Sequence, residues 1–204
     1  MCDQPSSQDE RSVERIIGVP PEEIMRANGI YYINSGIEEG TLTTITQDVI
    51  LKHMDMSWGD NDITVFVNSP GGNLSEGWML IDILDFIRLD VRTYGVGFCA
   101  SLGAMILAAG TPGKRYCMPN TTIMTHLPSF YGLEGNVHQL GPEMKHVNIE
   151  YKRAIEFWKK HSNCKTEKQV VAKLIGSKDN YMTPEEALKL GIIDNILPDK
   201  YVKK

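Results

Sequence analysis

The strongest constraint on this chain is its alternation of short β-branched runs with amphipathic stretches. Ile30-Tyr31-Tyr32-Ile33 and Ile63-Thr64-Val65-Phe66-Val67 read as buried strands. Between them, Thr43 to Met54 places Ile45, Val49, Ile50 and Met54 at helical spacing. The second strand runs into Asn68-Ser69-Pro70-Gly71-Gly72, a strong turn signal. A helix over Leu74 to Ile87, a strand over Val91 to Val96 and a small-residue helix over Ser101 to Ala109 follow. Two short strands, Arg115–Cys117 and Thr122–Thr125, precede a Gly-containing stretch from Ser129 to Gly135. After Pro142 a long helix gathers Met144, Val147, Tyr151, Ile155 and Trp158 on one face, with Lys and Glu on the other. A helix over Glu167 to Leu174 comes next, then one opened by the capping box of Thr183 and Glu186 and ended by Gly191. Ile192–Leu197 reads as the last strand. Strands alternating with helices predict parallel β-α-β units, hence an α/β fold.

Composition narrows the function classes. The 204 residues are 42% hydrophobic and 23% charged, enough for one core that needs neither disulfides nor metal. A net charge of −5 argues against nucleic acid or an anionic membrane as the main partner. No apolar run reaches the length of a membrane span. Met1 to Arg11 is polar and acidic, unlike a secretory signal, and residues 1–13 read as a flexible arm. Val19-Pro20-Pro21 interrupts the chain, and a short helix can begin at Pro21. Cys2, Cys99, Cys117 and Cys164 form no Cys-x-x-Cys pair and read as reduced thiols in a cytosol-like compartment.

Three segments can carry chemistry. In Cys99-Ala100-Ser101-Leu102-Gly103-Ala104, Ser101 stands where a strand meets a helix. Such a serine can attack a carbonyl while free N–H groups at the helix start receive the oxyanion. An ordinary N-cap is the competing explanation, and Cys99 excludes a Gly-x-Ser-x-Gly elbow. His126 ends a strand before Pro128 and can serve as a general base or as a packed structural histidine. His53, His138, His146 and His161 read as surface residues, and no two of the five histidines have metal-ligand spacing. The glycines at 71 and 72 allow a backbone N–H to point into a cleft, while both common phosphate-loop patterns are absent. The acid partner is the least defined, with Asp179 fitting among several carboxylates.

Together these segments resemble the proteolytic subunit of the Clp protease, the ClpP family. Asn-Ser-Pro-Gly-Gly stands unaltered at 68–72, and Ala100-Ser101-Leu102-Gly103-Ala104 is similar to the family's nucleophile segment. Gly113-Lys114-Arg115-Tyr116-Cys117-Met118-Pro119-Asn120 and Met124-Thr125-His126-Leu127-Pro128 follow its pattern, with Thr125 where the family has Ile and Leu127 where it has Gln. Asp179-Asn180-Tyr181 through Glu186-Ala187, with Gly191 and Asp194, resembles its ending. The resemblance covers about residues 29–197. It implies repeated β-β-α units of the ClpP/crotonase-like kind with a long protruding handle helix. The domains would be a divergent arm over 1–28 and a protease domain over 29–204. Ser101 would be the nucleophile, His126 the base and Asp179 its orienting acid, with an oxyanion hole from the N–H groups of Gly72 and Leu102. A side chain at 72 would then restrict the backbone where it meets substrate.

The resemblance further implies a serine endopeptidase acting on unfolded chains or short peptides through an acyl-enzyme, with no cofactor and no metal. It would assemble as a heptameric ring, or two rings stacked into a tetradecamer, in the cytoplasm, with an organelle stroma or, for a viral gene product, a host cytoplasm as the alternatives, fed by a separate AAA+ ATPase unfoldase. Three departures stand out. The first 28 residues differ, Ser177-Lys178 replaces the family's Asp-Arg, and residues 129–141 diverge. A non-catalytic ring subunit and a crotonase-like acyl-CoA enzyme are the alternatives.

Overall fold

The computed structural model describes residues 19–127 and 137–197. The arm over residues 1–13 and the stretch Ser129–Gly135 lie outside them. Helix α1 (Pro21–Ala27) leads into strand β1 (Ile30–Ile33), helix α2 (Thr43–Met54), strand β2 (Ile63–Ser69) and helix α3 (Leu74–Phe86). Strand β3 (Val91–Ala100), helix α4 (Leu102–Ala108) and strands β4 (Arg115–Cys117) and β5 (Thr122–Thr125) follow. Helix α5 (Val137–His161), helix α6 (Glu167–Lys173), strand β6 (Asn180–Met182), helix α7 (Pro184–Lys189) and strand β7 (Asn195–Ile196) complete the order.

The sheet runs β1-β2-β3-β4-β7, with parallel pairing throughout that path. β3 forks it. Thr93–Gly95 pairs with β4, whereas Phe98–Ala100 pairs with β5. The change of partner falls at Gly97, whose φ is +70°, opposite a register shift in β2 between Val67 and Ser69. Asn68 occupies that bulge. Its Oδ1 accepts from Phe98 N at 3.0 Å, and its Nδ2 donates to Asn34 Oδ1 at 2.6 Å. β3 therefore extends four residues beyond the strand expected at Val91–Val96, straight to Ser101. Gly97 permits the extension because a bend, rather than a stop, satisfies the backbone there.

Alternate residues of β2 are buried, and α4 is buried at all seven positions. The core joins Val65, Val67, Leu80, Leu84, Ile106 and Leu107 between sheet and helices. A row of rings crosses the sheet in the other register: Phe66 stacks on Tyr94 and Tyr94 on Tyr116, each at 4.9 Å.

α5 begins before Pro142, not after it, and carries Pro142 inside. Its apolar stripe divides: Ile155 and Trp158 are buried, whereas Met144 is exposed. Glu150, buried on the same helix, accepts from Trp78 Nε1 at 2.7 Å and from Arg153 at 2.6 Å. The last strand is two residues long, since Ile192 and Ile193 go into the core rather than the ladder.

Candidate active site

The Asn68–Gly72 segment is shaped by close approaches. Ser69 Oγ donates to Ser35 O at 2.6 Å and accepts from Gly71 N at 3.1 Å, folding the end of β2 over β1. At Gly71, φ +88°, an added Cβ would lie 2.8 Å from Ser101 Cβ and 2.9 Å from Leu102 N. At Gly72 it would lie 2.1 Å from Ile37 O. Gly71 presses on the serine, and Gly72 lets the chain pass Ile37. Gly103 completes the cradle, since a Cβ there would meet Ser69 O at 2.5 Å.

Ser101 sits at the junction of β3 and α4 with φ +55° and ψ −121°. Among the described residues it alone is non-glycine with positive φ. Such a conformation costs about 1–3 kcal/mol and persists only where neighbours over-determine it. Here Ser101 N donates to Met124 O at 2.8 Å, and Ser101 O accepts from Met105 N at 3.1 Å. The side chain does not cap α4. Its Oγ lies 2.8 Å from His126 Nε2. A strained strand-to-helix turn thus exists without the Gly-x-Ser-x-Gly spelling. Cys99, two residues earlier, points into the core, where Sγ meets Val67 O at 3.0 Å and burial pushes the thiol pKa up to about 12.

His126 follows β5 directly, and Asp179 directly precedes β6. These strands pair antiparallel, Ile123 with Met182, Met124 with Tyr181 and Thr125 with Asn180. Carrying that register one step further sets His126 opposite Asp179. The ladder is the reason these two residues meet. His126 Nδ1 lies 3.6 Å from Asp179 Oδ1, just outside hydrogen-bond range. Asp179 is half exposed, His126 less so. The structure thus brings together Ser101, His126 and Asp179, three residues drawn from three segments of the sequence.

Leu102 opens α4, where an N–H has no intrahelical acceptor. Gly72 is bracketed by Ile37 N donating to Gly71 O and Asn73 N donating to Ile37 O, which leaves its own N–H outside that bridge. Beside Ser101 a cleft is lined by Leu74, Leu102, Met105, Thr125, Ala154 and Trp158. Its enclosed space is about 10 Å³, room for one water molecule. Leu74, Met105, Ala154 and Trp158 were not among the residues expected at the site. The helical stripe on α5 contained Trp158, but nothing local says that it reaches the serine.

Of the other histidines, His146 is exposed as expected, the side chain of His138 lies outside the described residues, and two need correction. His161 is buried, its Nδ1 3.1 Å from Ala108 O and its ring stacked on Phe157. His53 is half-buried and accepts from Arg88 N through Nδ1 at 3.1 Å. Among the described residues no cluster of His, Cys, Asp or Glu could hold a metal ion, and no helix is long and apolar enough to cross a membrane.

Comparison with known proteins agrees with this geometry. The sequence model of the family described as Clp protease matches residues 21–200. The ATP-dependent Clp protease proteolytic subunit 1 of Corynebacterium glutamicum is 33% identical over 177 residues, 86% of this chain and 82% of the relative. Subunit 3 of Streptomyces avermitilis is 33% identical over 169 residues, covering 83% of this chain and 74% of the relative. The proteolytic subunit of Carsonella ruddii is 35% identical over 177 residues, covering 85% and 86%. A match spanning almost all the described residues, on a sheet that sets a serine against a histidine, places this chain in the Clp protease family.

Proposed function

We propose that Ser101, His126 and Asp179 are the catalytic triad of this serine-type peptidase, and that it cleaves peptide bonds through an acyl-enzyme. The observation that carries the proposal is the 2.8 Å contact between Ser101 Oγ and His126 Nε2 on a strained backbone. With its proton on Nδ1, toward Asp179, the imidazole accepts the Ser101 proton at Nε2 as Oγ bonds to the substrate carbonyl carbon. The N–H groups of Gly72 and Leu102 receive the oxyanion. Collapse of that intermediate breaks the C–N bond, and the imidazolium returns its proton to the leaving amine. Water then repeats the sequence on the ester and frees Ser101.

The cleft beside Ser101 selects the residue whose carbonyl is attacked. Its walls are apolar and largely buried, so they yield little. With so little enclosed space, a small apolar side chain enters more readily than an isobutyl or benzyl group, which needs the walls to move. Overpacking of this sort costs about 1–3 kcal/mol. Substrates with a small apolar side chain at that position are the preferred class.

Assembly into rings, one or two, and delivery of unfolded chains by a separate ATPase belong to the same proposal. The exposed apolar half of α5, with Met144 and Ile149, supports an intermolecular contact there. The triad is tested by labelling with a fluorophosphonate probe, comparing the parent with Ser101→Ala. Loss of labelling in the variant supports the triad, and equal labelling of both refutes it. Native mass spectrometry reads the assembly.

A further inference from the structure

Between α6 and β6 the chain makes a short turn that ends in Asp179. Its anchor is polar and internal. Thr125, 1% exposed, donates from Oγ1 to Leu174 O at 2.5 Å. Asn180 donates from Nδ2 to Lys173 O at 2.7 Å and to Thr125 Oγ1 at 3.5 Å. Lys173 and Leu174 are the last residue and the C-cap of α6, where carbonyls lack intrahelical partners. Two side chains therefore close the base of the Asp179 turn and tie it to the strand that ends at His126.

We infer that Thr125 and Asn180 form a clamp that positions Asp179 against His126. The inference rests on the triad proposed above and extends it to two residues that touch no reacting atom. The clamp acts at a sensitive spot. At 3.6 Å the Nδ1–Oδ1 distance is a few tenths of an ångström beyond a hydrogen bond. Among the described residues, Asp179 has His126 as its one ion-pair partner, and its own side chain is half exposed. Among the described residues no other group fixes its carboxylate, so the turn's placement decides whether the pair closes when substrate binds. The family has Ile at this position, but in this chain the Leu174 carbonyl relies on the Thr125 hydroxyl, and an apolar side chain of the same shape leaves that carbonyl buried and unpaired.

The test is a double-mutant cycle between Thr125→Val and Asp179→Ala, with kcat and KM measured on a short peptide. The clamp predicts that Thr125→Val lowers kcat by at least about 10-fold and leaves KM unchanged. It predicts that Thr125→Ser, which keeps the hydroxyl, restores most of the rate. It further predicts that Thr125→Val has no added effect once Asp179 is Ala, because the carboxylate it positions is gone. An equal loss in both backgrounds means a merely structural role and overturns the inference, as does a Thr125→Val rate within twofold of the parent. Should Thr125→Val not fold, Asn180→Ala takes its place in the cycle with the same two readings. If Asp179→Ala itself is fully active, the triad assignment fails instead, which keeps the two failures distinct.

Discussion

The two halves of the candidate triad are built differently. The Ser101 half is over-determined: a strained φ, two backbone hydrogen bonds and three glycines without which Cβ atoms would overlap. The Asp179 half is a half-exposed turn that falls short of hydrogen-bond distance. The nucleophile is set by sterics, which tolerate no adjustment, whereas the acid is set by a few hydrogen bonds, which do. Substitutions should separate the halves by the size of their effects.

The largest effect belongs to the nucleophile. Ser101→Ala should lower peptide hydrolysis by at least about 10⁴-fold and remove fluorophosphonate labelling. Gly71→Ala comes next. Its methyl would enter the space against Ser101 Cβ and Leu102 N at a positive φ, so kcat should fall by about 10²–10³-fold. A rate within threefold of the parent would show that the cradle is pliable, and the contrast would collapse.

Asp179→Ala should cost less, about 10²-fold in kcat. Its carboxylate stands half in solvent, where water can replace part of its field. A loss as large as that of Ser101→Ala would mean that the acid half closes fully during turnover. Smaller again is Trp158→Ala, which enlarges the cleft beside the rigid half. The ratio of kcat/KM for Leu over Ala at the cleaved position should rise by about 10-fold. A parent enzyme that already prefers Leu would show that the cleft walls give way.

The same contrast explains what could be read from the sequence. Asn68 to Gly72 and Ser101 to Ala104 are legible because close backbone approaches force small residues and leave a fixed spelling. Element boundaries at Ile30, Thr43 and Thr183 were legible for a similar reason, a β-branched run or a cap. The extension of β3 was hidden because Gly97 looks like a stop, and Asn68, which turns it into a bend, lies 29 residues earlier. From local pattern alone Asp179 is one carboxylate among several; the family resemblance singled it out, and the β5–β6 register is what sets it opposite His126. Three-residue strands such as β6 carry too few side chains to show a period. Trp158 reached the site through helix packing, which no local pattern encodes.

The smallest expected effect concerns stability and the far end of the rigid half. α4 starts at the strained serine and ends where Ala108 O meets the Nδ1 of His161. Burial holds the His161 pKa down at about 4, against an ordinary 6.5, outweighing the nearby Asp85 carboxylate. Lys160 and Arg115 add to the lowering. As pH falls, the unfolded chain takes the proton first. The stability carried by the neutral ring is therefore complete above pH 6.5 and drains away between 6.5 and about 4. The whole loss is on the order of 3 kcal/mol. The Arg115-bound Asp194 does not confuse the reading. Burial would raise its pKa, but hydrogen bonds from the Arg115 side chain and backbone hold it below 3.8, so its contribution is lost only in stronger acid. His161→Asn keeps an N–H for Ala108 O but cannot titrate. Denaturant unfolding at pH 7 and pH 4.5 should show a smaller drop in the variant than in the parent. Equal drops would place the acid sensitivity elsewhere and leave the anchoring of α4 independent of this ring's charge.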